Sequence, residues 1–464
     1  MGVVAVPALL SAVAGFVLLT HQRATLLKIA LEPDALRLVA WGCIAAIVLW
    51  VGVILATYHR SRPSRPTRRQ NFFGSVLAVV LSMAVAASLA TGARYAMVTR
   101  DLIKTVAPNE HTATAPVIKH VTKKNPWGQK KHVNLLLLGG DGGVGRTGIR
   151  TDSVILVSID TRSGKTVMFS LPRNLRNVPF PASSPLHALY PNGFNENDVP
   201  GESMLNAIYR NVPAYHPGVL GKSDNEGADA VKLGVEGALG IPVDYYLLVN
   251  LNGFRQIVDA IGGITVNVNE RVPINGNTDK HILPTGYIEP GPNQHLDGFK
   301  ALWFTRGRFG STDYKRMERQ RCALNAIVAQ ADPVTLFTRY TQLAAASKKI
   351  LRTDIPQKLL PAFVETSLKM KQQPIRSVVF QLSSDFNPNS PDFDYVHQAV
   401  QKALHPVVKP FRPAGSRGAT GVVNAGTGTI DIPKPPVSAT DATDANSDCT
   451  YQPVAASGSV STTP

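Results

Sequence analysis

Cysteine is scarce in this chain of 464 residues, which contains only Cys43, Cys322 and Cys449. Cys43 lies in an apolar run, so only Cys322 and Cys449 are available to form a disulfide in an oxidising compartment. One such pair is weak evidence for a bridge in a large domain. We therefore expect a domain that does not rely on disulfides, and the sequence leaves the pairing of these two cysteines open.

Acidic residues are also few, 32 against 48 Lys and Arg, which gives a formal net charge of +16. A basic chain is a candidate for binding nucleic acid, but that requires a basic stripe with aromatic residues or a helix that reads a groove. The sequence contains neither pattern. We therefore predict that nucleic acid is not a partner.

Long apolar runs are abundant near the N-terminus, where three of them occur: Val3–Thr20, Leu36–Ala56 and about Phe72–Ala90. Each is close to the ~20 residues that a helix needs to cross a bilayer. The first run lacks the basic start and the convincing cleavage site of a signal peptide. We therefore predict three transmembrane helices, in a membrane region of residues 1–98.

The loops between these runs predict their orientation. The loop between the second and third runs, Tyr58–Phe72, contains five arginines and no acidic residue, whereas the loop after the first run has mixed charge. Positively charged loops stay in the cytoplasm. We predict a multi-pass membrane protein with a cytoplasmic N-terminus and an extracytoplasmic domain after the third helix.

The composition divides the rest of the chain into three parts. Residues 99–130 are polar, contain prolines and lack periodicity, so we predict an extracytoplasmic stalk. Residues 131–405 have the apolar content of a folded domain. Residues 406–464 are rich in small and polar residues, and Tyr451 is the only aromatic residue after Phe411. Such a segment buries too little apolar surface to order itself, so we predict a disordered tail.

Strand and helix patterns alternate within the folded domain. A buried strand at 133–138 precedes a hairpin of 153–159 and 165–171, and later strands lie at 244–249 and 264–268. Val231, Val235, Ala238 and Leu239 recur at helical spacing, and a second helix is predicted to start at an Asn cap at Asn252. We predict an α/β fold with a mixed central sheet flanked by helices.

Two glycine motifs follow the first strand. Gly140–Thr147 matches the phosphate-loop spacing with Arg146 in place of lysine, and Gly143, Gly145 and Gly148 match the dinucleotide-binding fingerprint. Both motifs require a helix next. The residues that follow are β-branched instead, so we predict a flexible loop between two strands and no nucleotide site.

Two aspartates flank this loop. Asp141 follows the first strand directly, while Arg150 and Asp152 precede the next strand. Carboxylates on rigid strand ends suit Mg²⁺, which takes one or two of them together with phosphate oxygens. An Asx turn at each end of the loop would satisfy the same aspartates. These residues alone leave both interpretations open.

Arginines concentrate in two further places. Arg173 follows the second strand of the hairpin. An arginine that only ends the strand, with no role in a site, is the alternative interpretation. The segment Phe304–Arg321 contains five more. We predict that "ALWF" (301–304) is a strand whose continuation places Arg306 and Arg308 on one face.

A helix is predicted to follow this strand. Asp313 suits the N-cap of a helix that begins near Tyr314. Arg316, Arg319 and Gln320 then share one face, while Arg321 points toward the surface.

The choice of arginine over lysine distinguishes these positions from an ordinary solvated basic face. Guanidinium groups bind phosphate in a bidentate manner. Several arginines together with two candidate Mg²⁺ ligands, on the outer side of a membrane, predict that the bound group is a pyrophosphate.

The domain resembles the LytR–CpsA–Psr family of bacterial cell-wall enzymes. The resemblance is dense from Asn134 to about Gln330 and looser to about His405. It is carried by the order and spacing of five motifs: "NLLLLGGD", "RTDSVILVSID", "SLPRN", "VDYYLLVNLNGFRQIVDAIGGITVNV" and "LDGFKALWFTRGRFGSTDYKRMERQ".

The resemblance implies an α/β/α domain that moves a glycopolymer from a polyprenyl-pyrophosphate carrier to a peptidoglycan hydroxyl, with Mg²⁺ as cofactor. The bond formed would be a phosphodiester. The implied roles are metal binding by Asp141 and Asp152, pyrophosphate binding by Arg150, Arg173, Arg306, Arg308 and Arg316, orientation of the arginines by Asp313, and a place at the substrate site for Arg319 and Gln320.

Three positions depart from the family pattern. Gly143 replaces an arginine, Asn174 an aspartate and Met204 a lysine. Two other functions stay open at this point: hydrolysis of the pyrophosphate by water, and a non-catalytic lipid-binding or regulatory role. The polymer is also open, among arabinogalactan, teichoic acid and capsule.

Overall fold

The computed structural model describes most of the chain from Leu31 onward. The described residues are 31–63, 65–107, 112–116, 118–119, 122, 125–140, 150–196, 199, 201–278, 281–331, 351–406, 442–444 and 449–452.

Helices and strands alternate along the described chain. The helices are α1 (Pro33–Ser61), α2 (Arg68–Val106), α3 (Pro185–Leu189), α4 (Leu205–Tyr215), α5 (Glu226–Leu239), α6 (Leu251–Ile261), α7 (Gly298–Arg306), α8 (Asp313–Gln330), α9 (Leu360–Met370) and α10 (Phe393–Leu404). The strands are β1 (His132–Gly140), β2 (Thr151–Asp160), β3 (Thr166–Leu171), β4 (Tyr245–Asn250), β5 (Ile264–Val268), β6 (Val272–Ile274), β7 (Gly286–Ile288), β8 (Gly291–Leu296), β9 (Leu351–Thr353), β10 (Ile375–Val379) and β11 (Thr443–Asp444).

Seven of these strands form a mixed sheet in the order β11–β10–β3–β2–β1–β4–β9. The predicted hairpin of β2 and β3 is confirmed, with Val154 paired to Leu171. β1 runs parallel to β4, and β3 runs parallel to β10. The remaining strands form two small two-stranded sheets, β5 with β8 and β6 with β7.

Apolar side chains cover both faces of the sheet because successive strand residues point to opposite faces. On β2, Leu156 belongs to one core, whereas Ile155 and Val157 belong to the other. Helices α4, α5 and α10 fill the first core, and α9 covers the second. The predicted α/β class, a mixed central sheet flanked by helices, is therefore confirmed.

Asparagine caps begin two of these helices. Asn225 starts α5 by accepting a hydrogen bond from the backbone amide of Ala228. The cap of α6 is Asn250, which accepts from the amide of Gly253. The prediction of Asn252 as this cap was wrong by two residues, because two asparagines flank Leu251 and only the first lies at the end of β4.

The segment "ALWF" is part of helix α7 and not a strand. Asp297 caps this helix by accepting from the amide of Lys300, and Phe304 packs into a third core with residues of α6, α8 and β5. A short apolar run fits a strand or a buried helix equally well by pattern, and the cap decides between them. Arg306 therefore ends a helix and Arg308 lies in the following turn, so they do not share a strand face.

Two helices near the N-terminus, α1 and α2, are long and apolar enough to cross a membrane. They pack on each other, and Thr67 and Gln70 form a reciprocal capping box at the start of α2. They contain the second and third predicted spans, while the first, Val3–Thr20, lies outside the described residues. Two such helices suggest membrane anchoring.

The predicted stalk differs from expectation where it is described. Residues 99–106 continue α2, and several later residues pack on the domain. Trp127 is buried against Phe363, and its indole nitrogen donates a 2.9 Å hydrogen bond to Thr366. One buried tryptophan therefore holds the end of the predicted stalk against α9.

Described residues of the predicted disordered tail also pack on the domain. β11 adds to the edge of the sheet beside β10, and Cys449 forms a disulfide with Cys322 on α8. Side chains of Asn267 and Asn269 bind the backbone of residues 449–452. For these residues the prediction of disorder is wrong, because backbone pairing and a covalent link order a segment with few apolar side chains. The disulfide also corrects the expectation that the domain does not rely on such bridges.

Candidate active site

The start of β2 and the end of β3 lie side by side because these two strands are antiparallel. Arg150 precedes β2, Asp152 is its second residue, and Arg173 follows the end of β3. The carboxylate Oδ1 of Asp152 accepts a hydrogen bond of 2.6 Å from Nη1 of Arg173. The structure therefore brings Asp152 and Arg173 together as an ion pair.

The first turn of α8 supplies the third part of this cluster. Thr312 caps the helix, and the prediction of Asp313 as the cap was wrong by one residue. The carboxylate of Asp313 instead lies between two arginines, 3.3 Å from Nε of Arg173 and 3.0 Å from Nη2 of Arg316. The same Nη2 of Arg316 donates to the backbone oxygen of Asp152 at 3.1 Å. We call Asp152, Arg173, Asp313 and Arg316 the arginine–aspartate cluster.

The charges of the cluster stabilise one another. Burial alone would raise the pKa of Asp152, but the charge and hydrogen bond of Arg173 and the charges of Arg316 and Arg308 bring it below the usual 3.8. Burial lowers the pKa of Arg316 to about 10, although the charge of Asp313 opposes this shift. Asp152 and Arg316 are therefore charged at neutral pH. With the neighbouring Arg308, three basic side chains face two acidic ones at this place.

Arg306 is the last residue of α7, and Arg308 lies on the segment between α7 and α8. Arg308 is exposed and close enough to influence the pKa of both Asp152 and Arg316. The guanidinium of Arg306 lies over the ring of Trp303, 5.3 Å from its centroid. The structure therefore places Arg308 beside the arginine–aspartate cluster and Arg306 at the end of the adjacent helix.

Arg319 binds backbone atoms rather than the cluster. Its Nε donates to the carbonyl of Phe304 at 2.7 Å, its Nη2 donates to the carbonyl of Gly307, and its Nη1 contacts Glu270 at 2.8 Å. Gln320 likewise donates to the carbonyl of Thr305 at 3.2 Å. These two residues hold the turn that carries Arg306 and Arg308.

Arg321 was predicted to point toward the surface, and this is wrong. The residue is buried, and its Nη1 donates a 2.9 Å hydrogen bond to the hydroxyl of Ser377 on β10. Helical spacing places Arg321 off the Arg316 face, but the sheet lies against that side of α8 as well. A helix covered on two sides buries charged residues that its periodicity alone assigns to solvent.

Arg150 binds Glu202, which was not among the predicted site residues. Its Nη2 lies 2.5 Å from Oε1 of Glu202, and its Nη1 donates to the carbonyl of Gly201 at 2.9 Å. Arg210 and Asn211 also contact the Glu202 carboxylate. No motif in the sequence pointed to Glu202, which lies two positions before Met204, one of the departures from the family pattern.

Buried polar atoms at and near the cluster that have no hydrogen-bond partner within the described residues include Nε of Arg316, Oδ1 of Asp313 and Oδ1 of Asn174. An aspartate at position 174 would bury a carboxylate oxygen without a donor, which is costly. Asparagine at this position is therefore consistent with its surroundings. Nε of Arg316 is a donor that a bound water or ligand oxygen can satisfy.

The predicted metal site is described only in part. Asp141 lies outside the described residues, as does most of the glycine motif. Asp152 fits a magnesium ligand by its chemistry, because it is an ionised carboxylate held at the start of a strand. Directly after Arg150 the chain forms strand β2, so the helix that both nucleotide motifs require is not there.

An α/β domain that gathers arginines and aspartates at one sheet edge is suited to bind a phosphate-bearing anion. The chain belongs to the LytR_cpsA_psr family, whose model matches residues 97–407. The predicted family resemblance is therefore confirmed.

Two curated relatives are each 29% identical to the chain. One is the polyisoprenyl-teichoic acid–peptidoglycan teichoic acid transferase TagU of Bacillus cereus, over 227 residues that make up 48% of this chain and 61% of TagU. The other is biofilm regulatory protein A of Streptococcus mutans, over 233 residues that make up 49% of this chain and 50% of the relative. The chain thus spans between half and about three fifths of the length of these relatives.

Two solved structures are also similar. TagV of Bacillus subtilis is 24% identical with a TM-score of 0.39, and the match covers 59% of this chain and 97% of TagV. TagT bound to LIIa-WTA is 18% identical with a TM-score of 0.41, and the match covers 63% and 94% of the two chains.

Proposed function

We propose that this protein is a phosphotransferase that attaches a glycopolymer from a polyprenyl-pyrophosphate carrier to a peptidoglycan hydroxyl through a phosphodiester bond. The observation that carries the proposal is the arginine–aspartate cluster, in which side chains from β2, the end of β3 and α8 form ion pairs with one another. Family membership and the transferase name of TagU support the same class of reaction.

The cluster is built to hold arginines in a fixed geometry. Asp152 and Asp313 each bind a guanidinium, so Arg173 and Arg316 are already oriented before a ligand arrives. Groups that are fixed in advance do not have to reorganise when negative charge develops in the transition state. Positioning and charge neutralisation are the main contributions of a protein to phosphoryl transfer.

The proposed step is displacement at the glycan-linked phosphorus. The acceptor oxygen forms a bond to that phosphorus, the bond to the bridging pyrophosphate oxygen breaks, and polyprenyl phosphate leaves. The proton of the acceptor hydroxyl ends on the departing phosphate or in solvent water. Arg173, Arg308 and Arg316 neutralise the phosphate charges, and we assign Arg150 and Arg306 to the rim of the same site. A carboxylate that is paired with arginine is a weak base, so we assign no general base.

We also propose that Mg²⁺ is the cofactor, with Asp152 and Asp141 as its protein ligands. When bound, the ion would neutralise phosphate charge in the manner of other phosphoryl-transfer sites. The chain's own residues would orient the donor in either case, since the arginines are held by ion pairs of the protein itself.

The proposed location is the bacterial cell membrane, with α1 and α2 as spans and the domain on the outer side. The arginine-rich loop between these helices, residues 58–72, supports a cytoplasmic position for that loop. The domain would then face both a lipid-linked donor and the peptidoglycan acceptor. We further propose that the first apolar run is a third span, which makes the N-terminus cytoplasmic.

The test is transfer of a labelled lipid-pyrophosphate glycan onto peptidoglycan by the purified full-length protein in detergent. We expect phosphodiester-linked glycan on the wall, and a loss of at least about 100-fold in Arg173→Ala. We also expect a loss in the Arg306→Ala, Arg308→Ala double variant. Arg271→Ala is the matched control, because Arg271 forms an exposed pair with Glu289.

Three outcomes would contradict the proposal. Full activity in both arginine variants would remove the assigned site. Release of phosphate or of polyprenyl phosphate without acceptor would favour hydrolysis, although neither TagU nor biofilm regulatory protein A carries the name of a pyrophosphatase. Lipid binding without turnover would favour a non-catalytic role.

A further inference from the structure

The guanidinium of Arg150 is held at two points by the loop that precedes α4. Nη1 donates to the backbone carbonyl of Gly201 at 2.9 Å, and Nη2 lies 2.5 Å from Oε1 of Glu202. Gly201 has a φ of +81°, a conformation that favours glycine. The loop backbone therefore turns one oxygen toward Arg150 while the next side chain supplies a second.

Glu202 is itself fixed by α4. The amide of Asn211 donates 3.0 Å hydrogen bonds to both the backbone oxygen and Oε2 of Glu202, and Arg210 contacts the same Oε2. Asn211 is 2% exposed, so the amide that holds Glu202 is part of the packed interior. One carboxylate therefore links Arg150 to the buried side of helix α4.

The neighbouring residue strengthens this anchor. The hydroxyl of Ser203 donates to Oδ1 of Asn195 at 2.9 Å and accepts from the backbone amide of Glu196 at 2.9 Å. Burial alone would raise the pKa of Glu202, but Asn211, Arg210 and Arg150 lower it, so the group is ionised at neutral pH. An ionised and doubly fixed carboxylate can hold a long arginine side chain in one rotamer.

The position of Arg150 shows why such an anchor is needed. Arg150 lies only two residues before Asp152, whose Oδ1 is already bound by Arg173. A flexible arginine at the start of a strand would otherwise sample many rotamers and lose entropy on binding a ligand. Because Glu202 orders the side chain before the ligand arrives, this loss does not weaken binding.

We propose that Glu202 is a positioning residue that fixes the guanidinium of Arg150 for binding the donor pyrophosphate, with Gly201 as the second contact. The inference rests on the proposed function, in which Arg150 binds pyrophosphate. Glu202 and Arg150 would then act as a carboxylate–arginine pair at the rim of the proposed site. Glu202 lies two residues before Met204, which replaces the lysine of the family pattern.

The experiment is a double-mutant cycle on the full-length protein, with donor kcat and KM as the readouts. We expect Glu202→Ala to lower kcat/KM by about 10-fold to 100-fold, mainly through the KM of the donor, a range typical of groups that orient a binding residue. In an Arg150→Ala background the same substitution should change kcat/KM by less than about twofold, because coupled residues are not additive. Glu202→Gln keeps an acceptor oxygen and should recover part of the loss.

Two further variants separate positioning from a structural role. In an Arg210→Gln background, Glu202→Ala should still show its full effect, because Arg210 is not the residue through which Glu202 acts. Glu289→Gln removes the charge from an exposed pair, 62% exposed at Glu289, and should leave kcat and KM unchanged.

An equal fold loss from Glu202→Ala with and without Arg150 would overturn the inference, as would wild-type KM in Glu202→Ala. If Glu202→Ala does not fold, the double-mutant cycle with Arg150→Ala is measured with Glu202→Gln instead. If the wild-type protein shows no transfer, the proposed function fails, and the cycle is measured on binding of inorganic pyrophosphate by calorimetry. Coupling between Glu202 and Arg150 in that binding supports positioning independently, and its absence overturns it.

Discussion

Nη2 of Arg316 donates a 3.1 Å hydrogen bond to the backbone oxygen of Asp152, a residue 164 positions earlier in the chain. The same nitrogen lies 3.0 Å from the carboxylate of Asp313. One guanidinium therefore locks the first turn of α8 to the start of β2. Arg316 is only 3% exposed, so this contact connects α8 to β2 inside the domain. The same residue also borders the proposed site.

We expect Arg316→Lys to lower the rate of glycan transfer by about 100-fold. Lysine has a single ammonium on a flexible stem, and it cannot reproduce the planar donor arrangement that binds Asp313 and the Asp152 carbonyl together. Steady-state transfer by the full-length protein measures this loss. Arg271→Lys, at an exposed position, is the control, and equal rates for both variants would show that the guanidinium of Arg316 has no role.

Asp160 predicts a pH-dependent contribution to stability at the β2–β3 turn. Its Oδ1 accepts from the amides of Arg162 and Ser163 at 3.0 and 2.6 Å and from the Ser163 hydroxyl at 2.8 Å. Burial alone would raise the pKa of Asp160, but the Ser163 and Arg162 hydrogen bonds lower it below the usual 3.8. A carboxylate with a depressed folded-state pKa stabilises the fold at higher pH and loses that contribution as the pH falls through its folded value.

We therefore expect Asp160→Ala to lower the free energy of unfolding by about 1 kcal/mol near neutral pH, as for the loss of a capping carboxylate. The difference from wild type should disappear as the pH falls below the ordinary aspartate range. Urea unfolding at a series of pH values measures it. Asp160→Asn keeps an acceptor and should lose less, and a difference that grows toward acid pH would contradict the assignment.

Lys232 neutralises a buried group of acids at the opposite end of the sheet. Its Nζ lies 2.5 Å from Oδ2 of Asp354 and 3.0 Å from the carbonyl of Asp244, and all three residues are at most 1% exposed. Removing one partner of a buried ion pair leaves the other charge without compensation. We expect Lys232→Met to lower the free energy of unfolding by about 3–5 kcal/mol.

The control for Lys232 is Lys369→Met, because Lys369 pairs with Glu365 on the surface of α9 and both side chains are 40% exposed. Such a pair contributes about 0–1 kcal/mol. Thermal unfolding of both variants provides the comparison. Similar melting temperatures for the two would show that Asp354 is neutral or solvated, contrary to the ion pair described.

The Cys322–Cys449 disulfide closes a loop with a sequence separation of 127 residues. We expect the Cys322→Ala, Cys449→Ala double variant to lose about 2–5 kcal/mol of stability. A reductant should lower the melting temperature of the wild type and leave that of the variant unchanged. Cys43→Ala, in helix α1, is the control, and a wild-type melting temperature that does not respond to reductant would contradict the bridge.

Much of the central sheet was predictable because strand signals are local. Alternating apolar residues and short turns predict the β2–β3 hairpin, and its register places Asp152 opposite the exit to Arg173. The same local reasoning failed for "ALWF", since four apolar residues do not distinguish a strand from a buried helix turn. The concentration of arginines was visible in the sequence. The sequence did not reveal that Arg316 joins the arginine–aspartate cluster whereas Arg319 binds the turn after α7.

The sequence by itself determined the strands β1 to β5, the two apolar helices near the N-terminus, which charges stand at strand ends, and the family to which the chain belongs. Only the tertiary structure decided which charged side chains meet. Arg319 binds the carbonyls of Phe304 and Gly307, Arg321 reaches Ser377, and Arg150 binds Glu202. The physical reason is that a buried charge needs a partner supplied by a distant segment, and no local periodicity encodes that partner.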